Sequence, residues 1–250
     1  MIRRLFIIAL FISSLCFSQE ARLQFEKANQ LYRDGKYQDA VEMYGQIYRN
    51  GFESPSLHYN MGNAFFKLNN ISRSILSYER AKRLSPGDED VLYNLRLANL
   101  RVVDKIEPVP KLFFIGWWDS FVNLMPSSQW AVVIIFLLWV TVIASAGLLI
   151  LKRIAVQRIF LFLSVIAIFF TIISFVGMYQ RLSDEKSDTQ AIIIHQTVSV
   201  KSAPDDKSTD LFVLHEGVKV ELLDNVEKWH KIKLLDGKVG WLEEEAVEII

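Results

Sequence analysis

The chain has 250 residues, 51% of them apolar, and its 28 basic residues balance 28 acidic ones. Lys and Arg number 14 against 12 Asp and Glu from Gln19 to Leu112, and 8 against 15 from Leu182 to Ile250. Neither part has the basic excess that binding phosphates requires, which excludes nucleic acid as a partner, and a single cysteine excludes an internal disulfide or a cysteine metal cage.

At the start, Arg3 and Arg4 precede an apolar run from Leu5 to Leu15 and small residues near Ser18. This is the three-part pattern of a secretory signal over 1–18, with cleavage between Ser18 and Gln19. Acylation of Cys16 and an uncleaved anchor helix are the alternatives. Either would still leave the following domain outside the cytoplasm.

From 19 to 106 the sequence repeats. Ala28, Leu31, Gly35, Tyr37, Ala40, Tyr44 and Ile47 align with Gly62, Phe65, Asn69, Ile71, Ser74, Tyr78 and Ala81 at an offset of 34, and Pro86 closes the second unit. In period and residue order this resembles tetratricopeptide repeats, about 21–54 and 55–88. Small residues let paired helices approach while tyrosine and phenylalanine fill the space between them. The pattern predicts helices over 21–33, 37–49, 55–67 and 71–84, with a capping helix over 88–104 whose N-cap is Asp88. Pro108 and Pro110 stop the pattern.

The resemblance implies that the first helix of each pair lines a concave groove for protein partners. Repeat position places Phe25, Glu26, Asn29, Arg33, Tyr59, Asn60, Asn63, Lys67, Tyr93, Asn94 and Arg101 there. An asparagine amide can both donate to and accept from an extended peptide, so Asn60 and Asn94, one repeat apart, suit backbone recognition. Alternatively these residues only solvate the helix face. Some members of the repeat family clamp a carboxylate with two asparagines and three basic residues. Asn29 and Asn60 fit the asparagine positions, but Phe25, Asp90 and Asn94 stand at the basic ones, which argues against such a clamp.

Aromatic residues then crowd the segment 107–130: Phe113, Phe114, Trp117, Trp118, Phe121 and Trp130. Indole rings favour the headgroup region, so an interfacial helix is expected. Two uncharged apolar runs follow, 131–151 and 159–180, each long enough to cross a bilayer. The intervening loop 152–158 carries Lys152, Arg153 and Arg158 and no acid, which places it in the cytoplasm and both flanking parts in the periplasm. A polar linker is expected over 181–189.

Alternating apolar residues from 190 to 250, with a turn at Asp236 and Gly237, predict five short strands. The first includes Val198 and Val200, and Gly240 with Trp241 is expected to end the fourth. The order resembles a bacterial SH3-like (SH3b) barrel, a resemblance that implies binding of short peptides or cell-wall material. Candidate ligand residues are Asp205, Asp206 and Asp210, read as lying in a long loop, with Trp229 and Trp241. The alternatives are that Trp241 belongs to the barrel core and that the acidic loop is only solvated.

Catalysis needs converging groups. His58, His195, His215 and His230 are scattered, and the sequence has no phosphate-binding glycine loop or nucleophile elbow. The reading is therefore of a non-enzyme without a cofactor: a multidomain α plus β membrane protein with a tetratricopeptide array, two transmembrane helices and an SH3-like barrel.

The full order of segments, with the run from Asn94 through Asp104, Lys105 and Ile106 to Trp117 and Trp118, is similar to the BatE family of the Bat aerotolerance operons of Bacteroidetes. That resemblance implies a multi-pass inner-membrane protein working with von Willebrand A-domain membrane proteins and a MoxR-type ATPase in oxygen tolerance or envelope stress. The resulting expectation is a periplasmic scaffold that captures protein partners. The alternatives are a peptidoglycan sensor acting through the barrel and an accessory subunit of a membrane enzyme.

Overall fold

The computed structural model describes residues 19–110, 112–186 and 189–250, so the expected secretory signal lies outside the described residues. The chain is α plus β and divides into two compact units: residues up to 84, 88–109 and 188–250 form one, and 85–87 with 110–187 form the other.

In the first unit five helices follow the repeat pattern: α1 over 19–33, α2 Tyr37–Arg49, α3 Pro55–Lys67, α4 Ile71–Leu84 and α5 Glu89–Asn99. Ser54 caps α3 by accepting from the Leu57 N–H, with Pro55 at the first helical position. Asp88 caps α5 by accepting from the N–H groups of Asp90 and Val91. Gly35 and Asn69, 34 residues apart, leave their helices with φ of 77° and 58°. Asparagine tolerates this left-handed conformation, so the second repeat turns as the first does despite lacking the glycine.

The small-residue positions do what the sequence implies. A Cβ on Gly62 would lie 2.6 Å from the Tyr78 ring, so α3 and α4 could not approach as they do with any larger residue there. Ala28, Ala40, Tyr44, Ile47, Leu57, Met61, Ala64 and Phe65 form a core between the first repeat and α3 of the second.

The capping helix ends at Asn99, five residues before the expected end. Lys105 folds back to donate to the carbonyls of Asn99 and Leu100 at 3.1 and 3.0 Å. Beyond it the chain is drawn out by long-range bonds: Asp104 accepts from the His215 N–H at 2.6 Å, and the Val109 N–H donates to the Leu235 carbonyl at 3.1 Å.

Seven strands, rather than five, form one antiparallel sheet in the order β3-β2-β6-β5-β4-β1-β7. They are β1 Gln190–Ile193, β2 Thr197–Lys201, β3 Asp210–His215, β4 Lys219–Val226, β5 Trp229–Lys233, β6 Val239–Glu243 and β7 Val247–Ile249. The two unexpected strands have opposite reasons for escaping notice. β1 is buried at three consecutive residues and lacks alternation, while β3 begins at Asp210, which reads as loop. Gly240 and Trp241 lie inside β6 rather than at its end. A Cβ on Gly240 would sit 2.4 Å from Val200 Cγ1, so the glycine serves close packing there.

The helices and the sheet share one core. Ile75, Leu76, Tyr78, Leu95, Ala98 and Val102 cluster with Ile192, Ile193, Val218, Ile232 and Leu242. Polar contacts ring this cluster: Lys219 donates to the nearly buried Glu79 carboxylate at 2.8 Å, Ser72 to Glu216 at 2.6 Å, and Arg80 to Glu248 at 3.2 Å.

The second unit contains α6 Phe113–Val122, α7 Ser127–Ile150 and α8 Ile154–Lys186. Both α7 and α8 are long and apolar enough to cross a membrane. Only Leu151 to Arg153 separate them, so Arg158 lies in the first turns of α8 rather than in the expected loop 152–158. The helix also runs to Lys186, through most of the expected linker. A Cβ on Gly147 would meet the Phe160 ring at 2.5 Å, which shows how closely the two helices pair.

On α6 the aromatic residues divide by face. Phe113 and Trp117 are 69% and 72% exposed, whereas Trp118 donates to Gln180 at 2.7 Å. Trp130, read as interfacial, is instead buried, its indole N–H donating to the Val122 carbonyl at 3.2 Å. The Glu185 carboxylate accepts from the Ser127 N–H and hydroxyl and pairs with Arg181 at 3.2 Å. Because Ser127 opens α7, this carboxylate supplies the helix with the cap that Pro126 lacks.

Candidate functional site

The repeat helices carry a polar ladder with a period of 34 residues. The Tyr44 hydroxyl donates to Asn29 Oδ1 at 2.7 Å, and the same oxygen receives the Asn60 amide at 2.9 Å. One repeat later, Tyr78 and Asn94 converge on Asn63 Oδ1 at 2.7 and 2.9 Å. Asn94 also lies 3.1 Å from the Tyr59 hydroxyl. Burial pushes the Tyr44 phenol up to about 12, helped by Tyr32 nearby, and burial raises Tyr78 further, so both remain protonated donors.

Beside the second rung is a cleft of about 320 Å³, lined by Tyr32, Tyr59, Asn63, Phe66, Lys67, Tyr78, Asn94 and Leu97. Of the expected groove residues, Tyr59, Asn63, Lys67 and Asn94 meet here. Asn29 and Asn60 form the first rung instead, while Tyr93 is 56% exposed outside the lining. Arg101 stacks on Phe66 with its guanidinium carbon 4.4 Å from the ring centre and donates to Asn69 at 3.1 Å. Glu26 and Arg33 also stay outside the lining, and Arg33 bonds to Gln30. Tyr32, Phe66, Tyr78 and Leu97 escape the sequence reading. Tyr78 belongs to a second helix of a pair, and its 34-residue match to Tyr44 was the available signal.

This cleft offers aromatic walls, one exposed ammonium and amides fixed by the ladder. Each asparagine amide has two N–H groups and an oxygen with two lone pairs, so Asn94 can donate to Asn63 and Tyr59 and still accept from a ligand through its oxygen. Such a surface can hold an extended chain by its peptide groups and side chains.

The sheet has its own cleft, of about 270 Å³, whose lining includes Asp206 and Trp229 but not Asp205, Asp210 or Trp241. Asp205 accepts from the Lys207 N–H and so shapes the turn, while Asp210 pairs with Lys201 at 2.8 Å from within β3. Trp229 is 4% exposed. Trp241 is half-buried, with Lys231 over its ring at 5.8 Å. Two of the scattered histidines meet carboxylates: buried His58 meets Glu53 at 2.9 Å, and His215 meets Asp104 at 3.1 Å.

No family model matches this chain. It is 36% identical over 58 residues to tetratricopeptide repeat protein 16 of Homo sapiens and to that of Macaca fascicularis. The match covers 23% of this chain and 7% of each relative's length. With the 34-residue geometry described above, the similarity identifies the N-terminal helices as tetratricopeptide-like and suited to protein–protein interaction.

Proposed function

We propose that this chain is a non-enzymatic scaffold of the bacterial inner membrane whose tetratricopeptide groove captures a protein partner in the periplasm. The observation that carries this reading is the aromatic cleft beside the Tyr78, Asn63 and Asn94 rung, where repeat-spaced amides and phenols are held ready for an extended chain. The seven-stranded sheet, of SH3b type in this reading, stiffens the end of the repeat array. The resemblance to the BatE family supports a place beside von Willebrand A-domain proteins and a MoxR-type ATPase in oxygen tolerance or envelope stress.

Topology has a separate support. Ile75 and Val102 precede the two apolar helices, Val218 follows them, and all three share one core. Segments packed in one core lie in one compartment, so the chain between them crosses any membrane an even number of times. Two crossings satisfy that condition, and the basic Lys152, Arg153 and Arg158 favour the cytoplasm for the turn.

A photoreactive residue at Lys67 or Leu97, compared in native membranes with one at exposed Glu42 on α2, tests the groove. The expected result is one partner crosslinked from both cleft positions and not from Glu42. Equal crosslinking from Glu42 would move the binding surface off the groove.

A further inference from the structure

The cleft on the sheet already holds a cation. The Lys228 ammonium lies 3.0 Å from Glu243 Oε1, 3.4 Å from both Asp206 carboxylate oxygens and 5.5 Å from the centre of the Trp229 ring. Its three partners come from different segments: Glu243 from β6, Asp206 from the loop between β2 and β3, and Trp229 from β5. Two carboxylates and an aromatic face converging on one point form an environment suited to a primary ammonium, because each attracts the charge without requiring the planar fork of a guanidinium. Val198 and Ala246 in the same cleft offer apolar contact for a methylene stem.

Lys228 itself reaches this point from the rim. It follows Glu227, which takes a φ of 50° in the turn between β4 and β5, and its carbonyl accepts from the Glu244 N–H at 2.8 Å. The backbone is therefore fixed while the side chain stays 57% exposed. An exposed ion pair of this kind contributes little to stability and can open readily. Hydrogen bonding to Glu243, and then to Asp206, holds the ammonium above the ordinary lysine range, so it remains charged.

We propose that this cleft receives the side-chain ammonium of a lysine on a partner protein, and that Lys228 occupies the site as an internal competitor until the partner displaces it. The diaminopimelate of cell-wall peptides shares the amine but carries a carboxylate on the same carbon, which Asp206 and Glu243 would repel. A lysine side chain has no such group. This site lies on the sheet and goes beyond the groove reading, so either can fail without the other.

The test uses the full chain in lipid nanodiscs with ¹⁵N-labelled tryptophan, following the Trp229 indole resonance during titration with acetyl-Gly-Lys-Gly-amide. If Lys228 fills the site about nine-tenths of the time, Lys228→Ala should tighten binding about tenfold, because the competent fraction rises to one. Lys238→Ala removes the same charge elsewhere and should bind as the parent does. Adding Glu243→Gln to Lys228→Ala should abolish binding, as should acetylation of the probe's lysine, with circular dichroism confirming the fold. Equal affinity in the Lys228 and Lys238 variants, binding of the acetylated probe, or no binding in any variant would overturn the proposal. Tighter binding of a diaminopimelate muropeptide than of the lysine peptide would overturn the assignment to a protein partner.

Discussion

Asn94 donates its side-chain amide to Asn63 Oδ1 at 2.9 Å, on the same oxygen that receives the Tyr78 hydroxyl. One acceptor therefore ties α3, α4 and α5 together. Asn63→Ala should leave the buried Tyr78 hydroxyl and the Asn94 amide without this partner, at a cost of about 2–4 kcal/mol for two such groups. Asn60→Ala removes one donor and leaves Tyr44 bonded to Asn29, so about 1 kcal/mol is expected. Urea unfolding of the two variants should separate them in that order, and equal midpoints would show that the ladder does not organise the repeats.

Gly217 tests the union of helices and sheet. It has φ of 88°, and an added Cβ would lie 2.9 Å from Val102 Cγ2 and 3.2 Å from Ile75 Cδ1. Gly217→Ala should therefore incur backbone strain and displace two residues of the shared core, costing about 2–3 kcal/mol together. Proteolysis of the 100–110 segment, whose Asp104 and Val109 bond to the sheet, should accelerate in this variant. An unchanged cleavage rate would mean that the close approach is not maintained in solution.

Acid should loosen the first unit in two stages. Burial lowers the His58 pKa against the opposing pull of Glu53, so the folded protein favours neutral imidazole. Its contribution is complete above the unfolded value of about 6.5 and declines as pH falls from there toward the depressed folded value. For Glu79, burial alone would raise the carboxyl, but Lys219 and Lys82 outweigh it and hold the pKa below its ordinary 4.5. That contribution is present above about pH 4.5 and disappears as pH falls through the lower folded value. Thermal melts from pH 8 to 3 should show both declines, with His58→Phe removing the first and Lys219→Met diminishing stability most above pH 4.5.

Much of the first unit was legible because its information is local and repeated. Asp88, Gly35 and the small residues at 28, 40 and 62 each specify a cap, a turn or a close approach without reference to distant chain. The short capping helix was not legible in this way: Asp104 leaves it to bond His215, 111 residues away. β1 and the docking of the sheet on Ile75 and Val102 are likewise long-range facts. In the groove, repeat position found Asn63 and Asn94 but gave no sign that they bond to each other. In the sheet cleft, Asp206 and Trp229 were visible as residue types, whereas Glu243 and Lys228 join them only after β5 and β6 pair.

The shared core makes a strong demand on topology. Reporter fusions after Pro110 and after Ile250 should give the same compartment, since the segments they follow pack in one unit. Both should report the periplasm, and a fusion near Ala155, at the start of α8, should report the cytoplasm. The basic charges favouring that arrangement are Lys152, Arg153 and Arg158, all within or next to the tight turn between α7 and α8. Replacing all three by Gln should reduce the orientation bias without separating the two soluble parts, because their mutual packing still requires an even number of crossings. A split result in the parent chain, with one end periplasmic and the other cytoplasmic, would reject the two-crossing arrangement and the common core together. A result with both ends cytoplasmic would retain the core and reverse the orientation, moving the groove and its partner to the other side of the membrane.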